Sequence, residues 1–276
     1  MGLSSNVLWH QTNKTGLKGI LDKKGFFYSY SLENINSKNT IFKAAFPMVS
    51  VCDFPLSEFG EYIQRYGNYS IGLSREWGIK QGFTPVWYCE ENSPALEMQM
   101  EHFHELLKLV NDDTVENSEY ERFIYLLSYI KNYERELPKK LYTVYRFYDE
   151  REFRTVPRPK ILKSNGIELF LTENEYKIYK ARTGNSLIKS MIIPFEWEEI
   201  RFIIVENDDN IDEFKEIVER KSGKKDLRIN YFTNAQIKND VIGGNHNVKL
   251  QIKKIDLDEL RCKSQEKIKG PKIQLK

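Results

Sequence analysis

Between residues 95 and 137 the hydrophobic period changes, and this limits what the chain can fold into. In "ALEMQMEHFHELLKLV", Leu96, Met100, Phe103, Leu106, Leu107 and Val110 recur at helical spacing. In "EYERFIYLLSYIKNYEREL", Tyr120, Phe123, Ile124, Leu127 and Ile130 do the same. The polar run "NDDTVENS" separates the two segments, and Pro138 closes the second. On either side the apolar runs are short and strand-like, bounded by Gly, Pro and polar clusters. The pattern predicts a helical hairpin over 95–137 inserted into a sheet.

Before the hairpin, "VLWHQT", "FFYSYS", "MVSVCDF", "YSIGLS" and "PVWYC" read as strands. "GLKGILDKKG" is a short helix with Gly25 as its expected C-terminal cap. "LENINSKNT" is an expected loop, and Ser57 opens a short helix that Gly67 ends. Ser74 is placed to cap the turn "REWGIKQG". After the hairpin come "LYTVYRFY" and "EFRTVP", then Thr172 and Glu175 at capping-box spacing. "EIRFIIV", "NIDEFKEIVERKSG" and "DLRINYF" follow as strand, helix, strand, for which a parallel crossover is the default. "VKLQIKKI" is a late strand. The expected fold class is α+β: a mixed, mainly antiparallel sheet with the hairpin inserted, in one domain over 1–260.

Residues 261–276, "RCKSQEKIKGPKIQLK", carry six basic residues and one acidic one. The whole chain has a net charge of only +2, so the remainder is slightly acidic. The tail reads as a solvated basic extension, with nucleic-acid contact as the alternative. Three widely spaced cysteines, Cys52, Cys89 and Cys262, suggest neither a zinc knuckle nor a disulfide framework. A reducing cytoplasm is the expected compartment. The start "MGLSSNVLWH" lacks the features of a signal peptide, and no run reaches the ~20 apolar residues of a membrane span, so no membrane partner is expected.

The chemistry-bearing residues are few. His102 and His104 lie two apart on a predicted helix, ~200° around its axis, and do not face one ligand. Cys52 falls in a core-type strand and reads as a buried thiol. His10 sits on the first strand beside Trp9, where a packed core role is the plain reading and a ligand contact the functional one. "DEREFR" at 149–154 is either a charged turn with surface ion pairs or a carboxylate clamp. Glu150 and Glu152 share one face of an extended chain there. A carboxylate facing a developing positive charge is what N-glycosidic chemistry on NAD needs. The sequence contains no Gly-x-Ser-x-Gly, Walker or Rossmann fingerprint.

The segments "LWHQT", "PMVSVCDFPLS", "RYGNYSIGLS" and "EREFRTVP" together resemble the AbiGi-like family of bacterial abortive phage-infection proteins, with Phe153 where the family pattern has Trp. The similarity runs from about residue 8 to about residue 240, around a helical insertion of variable content. It implies an antitoxin or regulator whose partner is a nucleotidyltransferase-like toxin. On this reading Gly67 and Gly72 are family features, Gly72 leaving room inside a strand. Arg65, Arg75 and Arg154 are then the candidate phosphate- or cofactor-binding cations. The layout is also loosely similar to DNA-modifying ADP-ribosyltransferases. That resemblance implies catalytic roles for His10 on the NAD ribose, Tyr28 on nicotinamide and Glu152 on the cationic transition state. The function expected is phage defence as an antitoxin. An NAD-using ADP-ribosyltransferase-like enzyme and a nucleic-acid binder are the alternatives.

Overall fold

The computed structural model describes residues 6–56, 59, 67–111, 117–136 and 144–237. The chain begins with β1 (Val7–Thr12), α1 (Lys14–Lys23), β2 (Gly25–Asn36), β3 (Ile41–Cys52) and β4 (Tyr69–Ser74). A short helix α2 (Arg75–Lys80) and strands β5 (Thr84–Pro85) and β6 (Trp87–Cys89) lead into α3 (Pro94–Asn111) and α4 (Asn117–Leu127). Then come β7 (Ile130–Asn132), β8 (Glu134–Glu136), β9 (Val144–Arg146) and β10 (Glu152–Thr155), with a 3-10 turn at Phe147–Glu150. The remainder is α5 (Pro159–Ser164), β11 (Leu171–Thr172), α6 (Glu173–Thr183), β12 (Leu187–Pro194), β13 (Ile200–Val205), α7 (Asp208–Ser222), β14 (Asn230–Thr233) and α8 (Asn234–Gln236).

The main sheet runs in the order β12-β2-β3-β1-β4-β13-β14, with β10 and β11 also on β3 and β5 on β10. Among the described strands only β13–β14 is parallel within it, joined by α7, as the strand–helix–strand pattern predicts. β6 and β7 form a separate parallel pair, and β8 and β9 an antiparallel ribbon. The fold is therefore α+β with a mixed, mostly antiparallel sheet. β3 organises it. β10 pairs with its residues 49–52 and β11 with 44–45, and Pro47 falls in the gap between them, where its missing N–H interrupts neither ladder.

Alternation along β2 and β3 divides the core. Ile35, Phe42, Ala44, Phe46 and Met48 face the helical hairpin, packing on Leu96, Met100, Phe103, Ile124 and Leu127. Tyr30 and Ala45 face the other way, under Tyr176 and Tyr179 of α6. Around β1, β4 and β13, one face takes Leu17 and Leu21 of α1 with Phe214 and Val218 of α7. The opposite face packs Trp9 against Phe54, Phe59 and Ile237.

Several local readings shift. The second helix of the hairpin ends at Leu127, and Ile130–Asn132 is strand rather than helix, because it pairs with Trp87–Cys89. The polar run after Leu32 continues as strand to Asn36, drawn out by its ladder with β3 down to Ile41. Lys24, at φ 51, is the left-handed residue closing α1, and Gly25 already belongs to β2. Ser74 and Thr172 cap as expected. The helix expected after Ser57, the strand "VKLQIKKI" and the tail 261–276 lie outside the described residues.

Candidate functional site

The sequence singled out "DEREFR", and the structure builds an ionic cluster from it. β10 pairs with β3 so that Glu152 lies opposite Cys52 and Arg154 opposite Ser50. Alternation sends Glu152 and Arg154 to one side of the strand, and Phe153 to the other, into the core with Val49 and Val51. Arg154 is fully buried and uses its planar fork on acceptors from three residues. Its Nε and Nη2 hold Glu152 Oε1 and Oε2 at 2.7 and 3.1 Å. Nη2 also reaches Glu33 Oε1 at 3.0 Å, and Nη1 donates to the Ser128 carbonyl at 2.7 Å. Lys131 of β7 sits between two carboxylates, 2.7 Å from Glu152 and 2.6 Å from Glu150. Tyr145 donates its hydroxyl to Glu150 Oε1 at 2.6 Å. The Glu152 backbone N–H donates to the Tyr88 hydroxyl at 2.8 Å.

Three carboxylates thus share two cations. Burial would push the Glu152 carboxyl up, but Arg154 and Lys131 together hold it well below the usual range. Burial also opposes charge on Lys131, and Glu152 and Glu150 outweigh it, so its pKa rises. Glu33 goes the other way: burial raises its pKa, and Arg154 offsets only part of that. Burial and the neighbouring Glu150 and Glu152 push the Cys52 thiol up, which keeps it protonated and unreactive.

The six candidate residues are distributed as follows. β1, β2 and β10, which carry His10, Tyr28 and Glu152, all pair with β3. Their side chains are engaged separately. His10 Nδ1 lies 3.0 Å from the Ser50 carbonyl, which can only accept, so Nδ1 carries the proton and Nε2 the lone pair. Its ring meets Phe26 edge-on at 5.1 Å, and burial lowers its pKa. Burial raises the pKa of Tyr28, and the nearby Thr155 side chain, on the side of β10 away from Glu152, opposes that rise. Both Glu152 oxygens are held by Arg154 and Lys131. The Arg75 guanidinium lies 5.8 Å from the Phe153 ring centroid, and Arg65 lies outside the described residues.

Sequence reading missed Glu33, Lys131, Tyr88 and Tyr145. Lys131 was hidden inside an expected helix and Glu33 inside an expected loop; pairing with β6 makes the first a strand residue and pairing with β3 the second. Glu150 is reached through a kink rather than an extended chain, since Arg151 sits at φ 44 after the 3-10 turn.

The comparisons with known proteins converge on this chain. A family model described as "Putative abortive phage resistance protein AbiGi, antitoxin" matches residues 25–206. The chain belongs to the AbiGi family. The match takes in β2, β3, the hairpin, the ionic cluster and β13. The AbiGi protein of Lactococcus lactis subsp. cremoris, named an abortive phage resistance protein, is 25% identical over 205 residues, covering 66% of this chain and 81% of that protein. No solved structure matches the chain. AbiGi membership makes this an abortive phage resistance protein, and the antitoxin description implies a toxin as its partner. Among the described residues, no helix is long and apolar enough to cross a membrane.

Proposed function

We propose that this AbiGi-family protein is the antitoxin of a two-gene phage-defence pair, that it works in the cytoplasm, and that its partner is a nucleotidyltransferase-like toxin. The antitoxin description of the family model, which spans most of the sheet and the hairpin, carries the reading. The ionic cluster then serves the architecture. It ties the return strand of the hairpin (Lys131), the long β2 (Glu33) and β10 (Glu152, Arg154) into one rigid unit. Such a cluster fixes which strands meet more than it adds net stability. The test is co-expression with the toxin gene of the same locus. Growth arrested by the toxin alone should be restored by this chain, and continued arrest would sink the reading.

A role for His10, Tyr28 and Glu152 in NAD chemistry is a separate proposal. Its support is that their three strands share β3 as neighbour. The purified chain incubated with NAD and candidate acceptors decides it, and no turnover under any condition removes it.

A further inference from the structure

The end of β1, the start of β4 and the ends of β13 and β14 come together at one end of the main sheet. Gln11 lies opposite Ser70 there, and Ser70 opposite Ile204. A Cβ on Gly72 would run into the Trp9 ring, so Gly72 and Trp9 share a face. Alternation puts Ser70 and Gln11 on that face too. Asn234 joins them from the end of β14. Thr233 is extended, which turns Asn234 to the side of Phe232 and the Trp9 cluster. The Asn234 Nδ2 donates to the Asn68 carbonyl at 3.1 Å, which ties the residue to the start of β4.

Each of these three side chains keeps one polar atom unused. Gln11 Nε2, Ser70 Oγ and Asn234 Oδ1 are all buried, and among the described residues none of them has a hydrogen-bond partner. Ser70 is 0% exposed and Asn234 8%. Buried polar groups in folded proteins are nearly always paired, so three unpaired ones at one place call for a further partner. The Asn234 amide is oriented by its bond to a backbone carbonyl, which can only accept, so Oδ1 is its free acceptor. Gln11 Nε2 is a donor, and the Ser70 hydroxyl both donates and accepts.

We propose that Gln11, Ser70 and Asn234 bind one internal water molecule that links β1, β4 and β14. The donor set selects a neutral ligand. The Gln11 N–H repels a metal cation, and the Asn234 carbonyl oxygen repels an anion. A molecule that accepts from the first and donates to the second satisfies both, and the Ser70 hydroxyl completes its shell. Size selects water among such molecules. Directly opposed residues on paired strands have Cβ atoms only roughly 5 Å apart, so little more than one small molecule fits between Gln11 and Ser70. Internal waters typically make about three hydrogen bonds, the number this site offers. The site gives Ser70 of "RYGNYSIGLS" a role of its own, and it does not depend on the antitoxin reading.

The experiment pairs a crystal structure of the full chain, at a resolution that shows ordered water, with oxygen-17 relaxation dispersion, which counts long-lived internal waters. Both are applied to wild type and to the double variant Gln11→Met, Ser70→Ala. The expected result is a single water within hydrogen-bond distance of all three atoms in wild type, and one fewer long-lived water in the variant. Direct hydrogen bonds from these atoms to other groups of the protein overturn the proposal. An empty site overturns it, and so does density for anything larger than one water. An equal count of long-lived waters in wild type and folded variant also overturns it. If the variant does not fold, the wild-type crystal structure decides alone.

Discussion

Gly72 lacks a side chain because Trp9 needs the space. A Cβ there would lie 2.7 Å from Val7 Cγ1 and 2.8 Å from Trp9 Cζ3, and both belong to the neighbouring β1. Gly67 answers a backbone demand. At φ 121 its missing Cβ would fall 2.3 Å from the Thr12 carbonyl oxygen. The glycines of "RYGNYSIGLS" thus let β1 and β4 approach. Glu152 shows the opposite economy, a charge held in place by two others. Replacing it with Gln leaves Arg154 with Glu33 and Lys131 with Glu150, so the loss falls at the low end for a broken buried ion pair, about 3 kcal/mol. Urea denaturation of Glu152→Gln measures this, and a loss under about 1 kcal/mol would mean that Glu33 and Glu150 compensate both cations without Glu152.

At the scale of elements, the helical hairpin is where expectation and structure differ most instructively. The 3.6-residue period located α3 and α4, but period says nothing of which strand face they cover. Leu96, Met100 and Phe103 complete a core whose other half is Ile35, Phe42 and Phe46. Phe42 and Phe103 meet edge-on at 5.1 Å. The return from the hairpin places Lys131 in the ionic cluster. Removing residues 95–137 behind a short linker should therefore expose a large apolar face and leave Arg154 and Glu152 without Lys131. The expected result is a shortened chain with no cooperative thermal transition; a sharp melt would show that the sheet folds without the hairpin.

For the whole molecule, acid is the revealing perturbation. Hydrogen bonds from Lys14 and Lys18, at 2.7 and 2.5 Å, hold the Glu213 carboxyl down to about 2 and tie α1 to α7. A carboxyl lowered by folding stabilises the fold above the usual carboxylate range, and that contribution disappears as pH falls toward 2. Glu152 has the same sign. Glu33 has the opposite sign, because its raised pKa favours the folded state as pH drops through that raised range. Stability should thus fall between the ordinary carboxylate range and pH 2, and Glu213→Gln should flatten the slope there. The Glu213 pair is partly exposed, so its loss at neutral pH should stay below about 1 kcal/mol. Circular dichroism melts across that pH range check the sign. An identical acid slope in wild type and Glu213→Gln would count against it.

Local chemistry in the sequence determined much of this protein: the helix caps at Ser74 and Thr172, the strand–helix–strand order that became β13, α7 and β14, and the paired helices of the hairpin. Each follows from neighbours a few residues apart, whose period and capping groups are set by the backbone alone. The motifs around "RYGNYSIGLS" and "EREFRTVP" also carried the family. Only the tertiary structure decided that residues 33–36 and 130–132 are strands, since short polar segments become strands when a partner supplies their hydrogen bonds. It alone brought Glu33 and Lys131 to Glu150, Glu152 and Arg154, joining three separate segments of the chain. A charge enters the interior only beside its opposite, and which opposite is within reach depends on strand register.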